Sequence, residues 1–283
     1  MAFGTAVVTG ASSGIGHATA RHLDSLGFTV LAGVRSDEAA QRLAAEGSER
    51  LRPLIVDVTD AKSIATAAEE VREATAASVL SALVNNAGVA VSAPLELVPI
   101  DQLRHQLEVN VIGQVAVTQA LLPMLREARG RIVNVSSIGG RIALPLAGPY
   151  AASKFALEAI TDSLRRELHH LGVDVIAIEP GGVKTPIWGK GTKSADAMLA
   201  DVDPEVESLY ADLTKALRAE AHRIDTETGI EPMEVAEAIG RALTASRPRT
   251  RYLVGRDAKL RDKVARVLPD RAFDALIART LKA

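Results

Sequence analysis

Tyr150 and Lys154 stand four residues apart in "GPYAASKFALEAI", a spacing that puts both side chains on one face of a helix. A free phenol titrates near ~10, too high for a base at neutral pH. An ammonium held ~4 Å away would stabilise the phenolate by roughly 4 kcal/mol at an intermediate dielectric, before desolvation. Since ~1.4 kcal/mol equals one pKa unit, the phenol would fall by about two to three units at most. That brings it toward the range useful for general acid–base chemistry. Such pairs are common on helices, so the assignment needs partners elsewhere. Asn110 in "LEVNVIGQ" is a candidate. An Asn inside a helical stretch disfavours the helix and, if buried, must be satisfied.

A second constellation lies at the start of the chain. "TAVVTG" reads as a strand, and "IGHATARHLDSLG" as a helix closed by Gly27. Glycines fall at 10, 14 and 16 between them. Gly10 permits a tight turn, Gly14 a close approach of backbone to a pyrophosphate, and Gly16 close packing of helix on strand. The helix N-terminus would then meet phosphates with free N–H groups and its positive dipole end. A nucleoside triphosphate loop needs Gly-Lys-Ser/Thr, whereas His17 follows Gly16 here, so a dinucleotide is favoured.

These groups must be carried by ordered elements. Seven short apolar runs begin at Thr5, Phe28, Leu51, Ser81, Gly130, Val173 and Thr250, and they alternate with helix-length segments such as 60–76, 101–128 and 150–171. The pattern predicts βαβ units: a doubly wound, Rossmann-type α/β fold with a seven-stranded parallel sheet and helices on both faces. Near-continuous apolar strands are what such a doubly covered sheet requires. No linker divides residues 1–283, which read as one domain. The stretch 186–230 lacks a strand pattern. It is expected to be a helical cover on the substrate side, or else a surface insertion.

Composition excludes several classes. The chain has 283 residues, 24% charged, with a net charge of −2, so it offers no general attraction to nucleic acid. There is no cysteine, which removes disulfides, thiol chemistry and Cys-based metal sites; no metal is expected. No run nears the ~20 apolar residues of a membrane helix, and no signal peptide is visible. A cytoplasmic location is expected.

The Gly-xxx-Gly-x-Gly spacing of "TGASSGIG" resembles that of the short-chain dehydrogenase/reductase family, in its single-domain branch. The resemblance extends to Asn85, Asn86, Ala87 and Gly88, to the Ser137, Tyr150 and Lys154 set, and to Pro180, Gly181, Val183 and Thr185 in "EPGGVKTP". It implies an oxidoreductase acting on CH–OH groups. In it Ser137 hydrogen-bonds the substrate oxygen, Tyr150 is the general acid or base, and Lys154 binds the nicotinamide ribose. Asn110 orders a water that links Lys154 to solvent. Ser136, adjacent to Ser137, is expected to point elsewhere by strand alternation. The cofactor set it implies comprises Gly10, Ser12, Ser13, Gly14, Ile15, Gly16, Arg35, Asp57, Val58, Asn86, Ala87 and Gly88. Tyr150, Lys154, Pro180, Gly181, Val183 and Thr185 complete that set. Stretches such as "YAASKFALEAITDSLRREL" look most like members handling retinoids, steroids and similar lipophilic alcohols.

After the second strand an acidic residue would hold the ribose of NAD. Val34 and Arg35 stand there instead, and a guanidinium suits a 2′-phosphate, so NADP(H) is favoured over NAD(H). Ser13 replaces a second basic residue common in NADP enzymes, and Asp37 or Glu38 could pair with Arg35 instead. The substrate walls are expected to include Leu144, Pro145, Leu146, Ile187 and Trp188, with Ser137 and Tyr150. This apolar set fits a lipophilic carbonyl or alcohol. A cofactor-binding regulator without turnover is the alternative. Surplus apolar residues on 101–128 (Val109, Val115, Val117, Leu121) and on 150–171 (Phe155, Leu157, Ile160, Leu164) point to pairing of these helices in a homodimer or homotetramer.

Overall fold

A computed structural model describes residues 4–200 and 202–281. All seven apolar runs are strands: β1 (Thr5–Val8), β2 (Thr29–Val34), β3 (Leu51–Ile55), β4 (Leu80–Asn85), β5 (Arg131–Val135), β6 (Asp174–Pro180) and β7 (Arg251–Val254). They form one parallel sheet in the order β3-β2-β1-β4-β5-β6-β7. The chain direction across the sheet reverses between β1 and β4. A doubly wound sheet opens a crevice there, at the carboxyl ends of its strands.

Each strand feeds a helix that covers one face. On one side lie α1 (Gly14–Leu26), α2 (Asp37–Glu46) and α10 (Pro232–Thr244). Leu23, Leu43 and Ile239 from these helices join Val8, Val30 and Ile178 of the sheet in one buried core. On the other side lie α3 (Ala61–Ala74), α4 (Ile100–Leu107), α5 (Gly113–Glu127) and α6 (Gly148–Leu168). Val71, Leu125 and Leu168 pack there against Val7, Leu83 and Ile132. The stretch after β6 is helical: α7 (Ile187–Leu199), α8 (Pro204–Leu209) and α9 (Ala211–Arg223). Residue 201, inside the stretch read as a cover, lies outside the described residues. The chain closes with α11 (Arg256–Val267) and α12 (Asp270–Leu281).

Segment 101–128 is not a single helix. It breaks into α4 and α5 around a π-helical turn over Glu108–Ile112, closed by Gly113 N–H donating to Glu108 O. Two features account for the widened turn. Val109, Val111 and Ile112 are stiff β-branched residues, and α5 starts hard against the loop that follows β3. A Cβ at Gly113 would sit 2.5 Å from the Val58 carbonyl oxygen.

The surplus apolar surface is smaller than its sequence implied. Val109, Val117, Leu121 and Leu157 are buried within the protomer, because α5 and α6 pack on the sheet at β4 and β6. The large apolar residues left exposed here are Ile112 (53%) and Phe155 (45%). Among the described residues no helix is long and apolar enough to cross a membrane.

Candidate active site

Gly10 and Gly14 take left-handed backbone conformations, with φ of 66° and 58°, which glycine alone adopts freely. Gly16 is needed for contact: a Cβ there would lie 2.2 Å from Gly10 O and 2.4 Å from Asn86 Nδ2. Its role is therefore the closeness of helix to loop. Ser13 precedes α1 in extended conformation without a side-chain cap, and the first turn holds no acidic residue. The helix thus presents unspent N–H groups and positive potential, as a pyrophosphate requires.

The Asn-Asn motif divides two tasks. Asn85 Nδ2 donates to Thr118 Oγ1 (2.8 Å) and Asn134 Oδ1 (2.9 Å), tying β4 to β5 and α5. Asn86 Nδ2 donates to Thr9 O (2.9 Å) and Gly10 O (3.2 Å), which fixes the glycine loop. Thr9, which the sequence reading passed over, supports the motif from below. Its hydroxyl accepts from the N–H groups of Asn86 and Ala87, both at 3.0 Å.

A cleft of about 850 Å³ runs along this crevice. It is lined by Gly10, Ser12, Ser13, Gly14 and Ile15 of the loop, by Arg35, Asp57 and Val58, and by Asn86, Ala87 and Gly88. Asn110, Tyr150, Lys154 and Thr185 line its far end. Gly16, Pro180, Gly181 and Val183 do not line it. Val183 is buried, and Gly181 borders the neighbouring apolar space instead, where a Cβ would strike the Asp257 carboxylate at 2.1 Å. Asp257, from α11, accepts the Gly182 N–H at 2.8 Å and anchors the loop. Lying some 75 residues downstream, it gave no local signal.

Asp57 Oδ1 accepts from the Thr59 N–H (2.9 Å) and Thr59 Oγ1 (2.7 Å). Those bonds, the backbone one foremost, hold its carboxyl below the usual range against partial burial. Arg35 is exposed at the cleft and makes no ion pair with Asp37 or Glu38. Glu38 faces Arg42 at 3.5 Å instead. Arg42 also lines the cleft, a second cation that sequence reading missed because it stands seven residues on, in α2.

Asn110 sits in the π turn, fully buried. Its Oδ1 accepts from Val89 N–H (2.9 Å), and its Nδ2 donates to Val89 O (3.0 Å) and Ser153 Oγ (3.1 Å). It therefore clamps the loop after Gly88 to α6. Gln106, also missed, repeats the clamp on Val91 N–H (2.7 Å) and Val89 O (2.8 Å).

Beside the cleft lies an apolar cavity of about 180 Å³. Ser137, Leu144, Leu146, Ile187 and Trp188 line it, with residues of α7 and α9. Pro145 is exposed and does not. Leu146 turns the loop with φ of 62°, a strained value for a branched side chain, which brings its side chain in and leaves Pro145 out. Ser137 faces the cavity, while Ser136 lines the cleft, in keeping with strand alternation.

Tyr150 lines both spaces. Lys154 Nζ lies 5.8 Å from the centre of its ring and donates to Val135 O at 2.8 Å. The phenol departs from expectation. Burial raises its pKa, and the Ser137 hydroxyl bonded to it pulls the other way. Nζ lies over the ring and is tied to the Val135 carbonyl, so it is not the influence that sets the phenol here. Burial also draws Lys154 down to about 8, opposed by the Glu158 carboxylate.

The sheet order, the glycine loop at its switch point and the cleft beyond it define a dinucleotide-binding α/β protein. Residues 4–196 match the family model for short chain dehydrogenases. The chain belongs to the short-chain dehydrogenase/reductase family and is an NAD(P)-dependent oxidoreductase. It is 41% identical over 283 residues to an NADPH-dependent 3-dehydrocapnine reductase from Ornithobacterium rhinotracheale, covering 98% of this chain and 97% of that one. It is 39% identical over 274 residues to retinol dehydrogenase 16 from Homo sapiens, covering 95% and 86%. Among solved structures, a short-chain dehydrogenase from Burkholderia cenocepacia in complex with NADP matches with a TM-score of 0.74. That protein is 28% identical, with all of both chains covered.

Proposed function

We propose that this protein moves a hydride between NADP(H) and a lipophilic secondary alcohol, ketone or aldehyde of steroid- or retinoid-like character. The observation that carries the reading is the position of Tyr150, the titratable side chain that borders both the dinucleotide cleft and the apolar cavity, beside the apolar Ala90 and Ile187. A nicotinamide bound in the cleft supplies or accepts the hydride. Gly10, Ser12, Ser13, Gly14, Ile15 and Gly16 would hold the phosphates, with Asp57 and Val58 beside the adenine. Asn86, Ala87 and Gly88 would border the adenosine ribose, and Pro180, Gly181, Val183 and Thr185 the nicotinamide.

Ser137 orients the substrate oxygen by a hydrogen bond, and Tyr150 gives that oxygen a proton in reduction or takes it in oxidation. Burial raises the phenol's pKa, so Tyr150 carries its proton at neutral pH and has it to give in reduction, while closing the site on cofactor and substrate must bring it nearer the working range. Lys154 holds the cofactor ribose, and Asn110 keeps the backbone around the site in register and orders water toward Lys154. Stretch 186–230 acts as a helical cover on the substrate side of the single domain, since Ile187, Trp188 and Leu217 form much of the cavity wall.

NADP(H) is favoured over NAD(H). Arg35 stands free of Asp37 and Glu38 at the cleft, Arg42 adds a second cation, and a relative of 41% identity bears an NADPH-dependent name. The test follows NADPH absorbance against a panel of long-chain ketones, steroid ketones and retinaldehyde. Turnover with apolar members and none with short polar ones is expected. NADPH binding without turnover of any member favours a regulatory protein and overturns the catalytic reading.

A further inference from the structure

Helix α11 turns outward a stripe of side chains that neither the fold nor the proposed reaction uses. Its inner side is accounted for. Ala258 is fully buried, and Asp257 accepts the Gly182 N–H. Asp262 accepts from Arg141 (2.8 Å) and Arg266 (2.9 Å). Arg261 lines the apolar cavity, Ala265 packs with Ile138 and Ile142, and Val264 is half-buried. Arg256, Lys259, Leu260, Lys263, Arg266 and Val267 are all exposed. Their spacing repeats every three or four residues, so at about 100° per residue they fall within an arc of roughly 120°.

The stripe holds cations and no acid, in a chain whose net charge is −2. Arg266 pairs with Asp262. Among the described residues no ion pair engages Arg256, Lys259 or Lys263. Leu260 is 63% and Val267 73% exposed, and both lie toward the middle of the arc. A single exposed leucine is ordinary. Two large apolar side chains set among like charges on one stripe suit a partner that is anionic and apolar at once. An anionic bilayer interface is such a partner. The aliphatic stems of Lys and Arg carry their heads to the lipid phosphates, while the apolar side chains enter below them. Nucleic acid would meet the cations and leave Leu260 and Val267 in water. A second copy of the stripe would set like charges face to face. The pattern stops at α11, since Asp270 and Asp274 are exposed on α12.

We propose that α11 docks this protein on the surface of an anionic lipid bilayer through Arg256, Lys259, Leu260, Lys263 and Val267. The contact is peripheral, at the level of the headgroups. The same helix gives Arg261 to the wall of the apolar cavity, so the bilayer would lie about one helix diameter, ~10 Å, from it. A lipophilic alcohol or ketone partitions into that phase, which brings substrate to the reaction proposed above. That benefit rests on the proposed function; the docking does not.

Co-flotation of the full chain with vesicles tests it. Vesicles of equal parts phosphatidylglycerol and phosphatidylcholine should carry the protein up a density gradient at low salt, and vesicles of phosphatidylcholine alone should not. Added salt should weaken the binding as the Debye length contracts. Lys259→Glu with Lys263→Glu should lower the partition coefficient at least ~tenfold, since each cation near such a surface contributes about fivefold. Leu260→Ser with Val267→Ser should lower it too, with the salt dependence kept. Lys62→Glu with Arg52→Glu makes the same change in net charge near β3, at the other edge of the sheet from β7, and should leave binding near wild type. All six substituted side chains are exposed, and a wild-type melting curve confirms that each variant folds. Absence of flotation with the mixed vesicles overturns the proposal. So does an equal loss in the Lys62 and Arg52 variant, binding unmoved by both α11 variants, or retention by a DNA duplex but not by vesicles. The assay uses neither cofactor nor substrate, so an absence of NADPH turnover would strike the proposed function alone.

Discussion

Lys154→Met should stabilise the protein without cofactor while abolishing its proposed activity. The ammonium titrates near 10.5 in an open chain and at about 8 in the fold. The folded pKa is the lower one, so the unfolded chain binds the proton more tightly. The fold therefore carries the full penalty below pH 8 and sheds it as pH rises from about 8 to 10.5. A difference of about 2.5 units corresponds to about 3 kcal/mol at pH 7. Substitution by Met removes that penalty but loses the bond to Val135 O, worth about 1 kcal/mol. It also strips Glu158 of a neighbouring cation. A net gain of about 1–2 kcal/mol remains, or roughly 2–6 °C in melting temperature for a chain of this size. Thermal unfolding followed by circular dichroism at pH 7 and pH 10 reads it directly. The gain should be largest at pH 7 and shrink toward zero by pH 10. Equal destabilisation at both pH values would refute the reasoning, since it would mean that Lys154 folds without strain from its burial.

Three further outcomes are expected. Tyr150→Phe should reduce turnover of the best ketone in the panel by ~10²–10⁴-fold, with NADPH affinity within several-fold by fluorescence titration; a residual rate above about a tenth would remove Tyr150 from proton transfer. Arg35→Ala should weaken NADP(H) about ten- to a hundredfold, through loss of a charge-assisted contact, and leave NAD(H) nearly unchanged. Calorimetric titration of both cofactors checks this, and a wild type preferring NAD(H) would reverse the cofactor assignment. For the expected assembly, Ile112→Glu with Phe155→Glu should shift a dimer or tetramer to monomer in light scattering, because these two side chains are the large apolar ones left exposed on segments 101–128 and 150–171; a wild-type monomer at micromolar concentration would refute the pairing.

What sequence alone determined was local or strongly periodic. Every strand was legible because a strand covered on both faces must be apolar throughout, and such a run stands out beside amphipathic helices. The glycine loop was legible because left-handed turns and a backbone contact with no room for a Cβ leave glycine as the one residue that fits. Helical spacing put Tyr150 and Lys154 on one face, but it was the resemblance to the family that joined them with Ser137 as a catalytic set. Tertiary structure decided what depends on distant chain. It placed Asp257 beneath Gly182 from about 75 residues away, and it brought Arg42 to the cleft beside Arg35. It widened one helical turn so that Asn110 could clamp Val89. It also reversed the electrostatic expectation for Tyr150. The i, i+4 spacing promised an ammonium near the phenol oxygen, but the fold set Nζ over the ring, 5.8 Å from its centre, and tied it to the Val135 carbonyl. Spacing along a helix determines which residues are neighbours. Whether their charges help each other depends on how much water the rest of the fold removes.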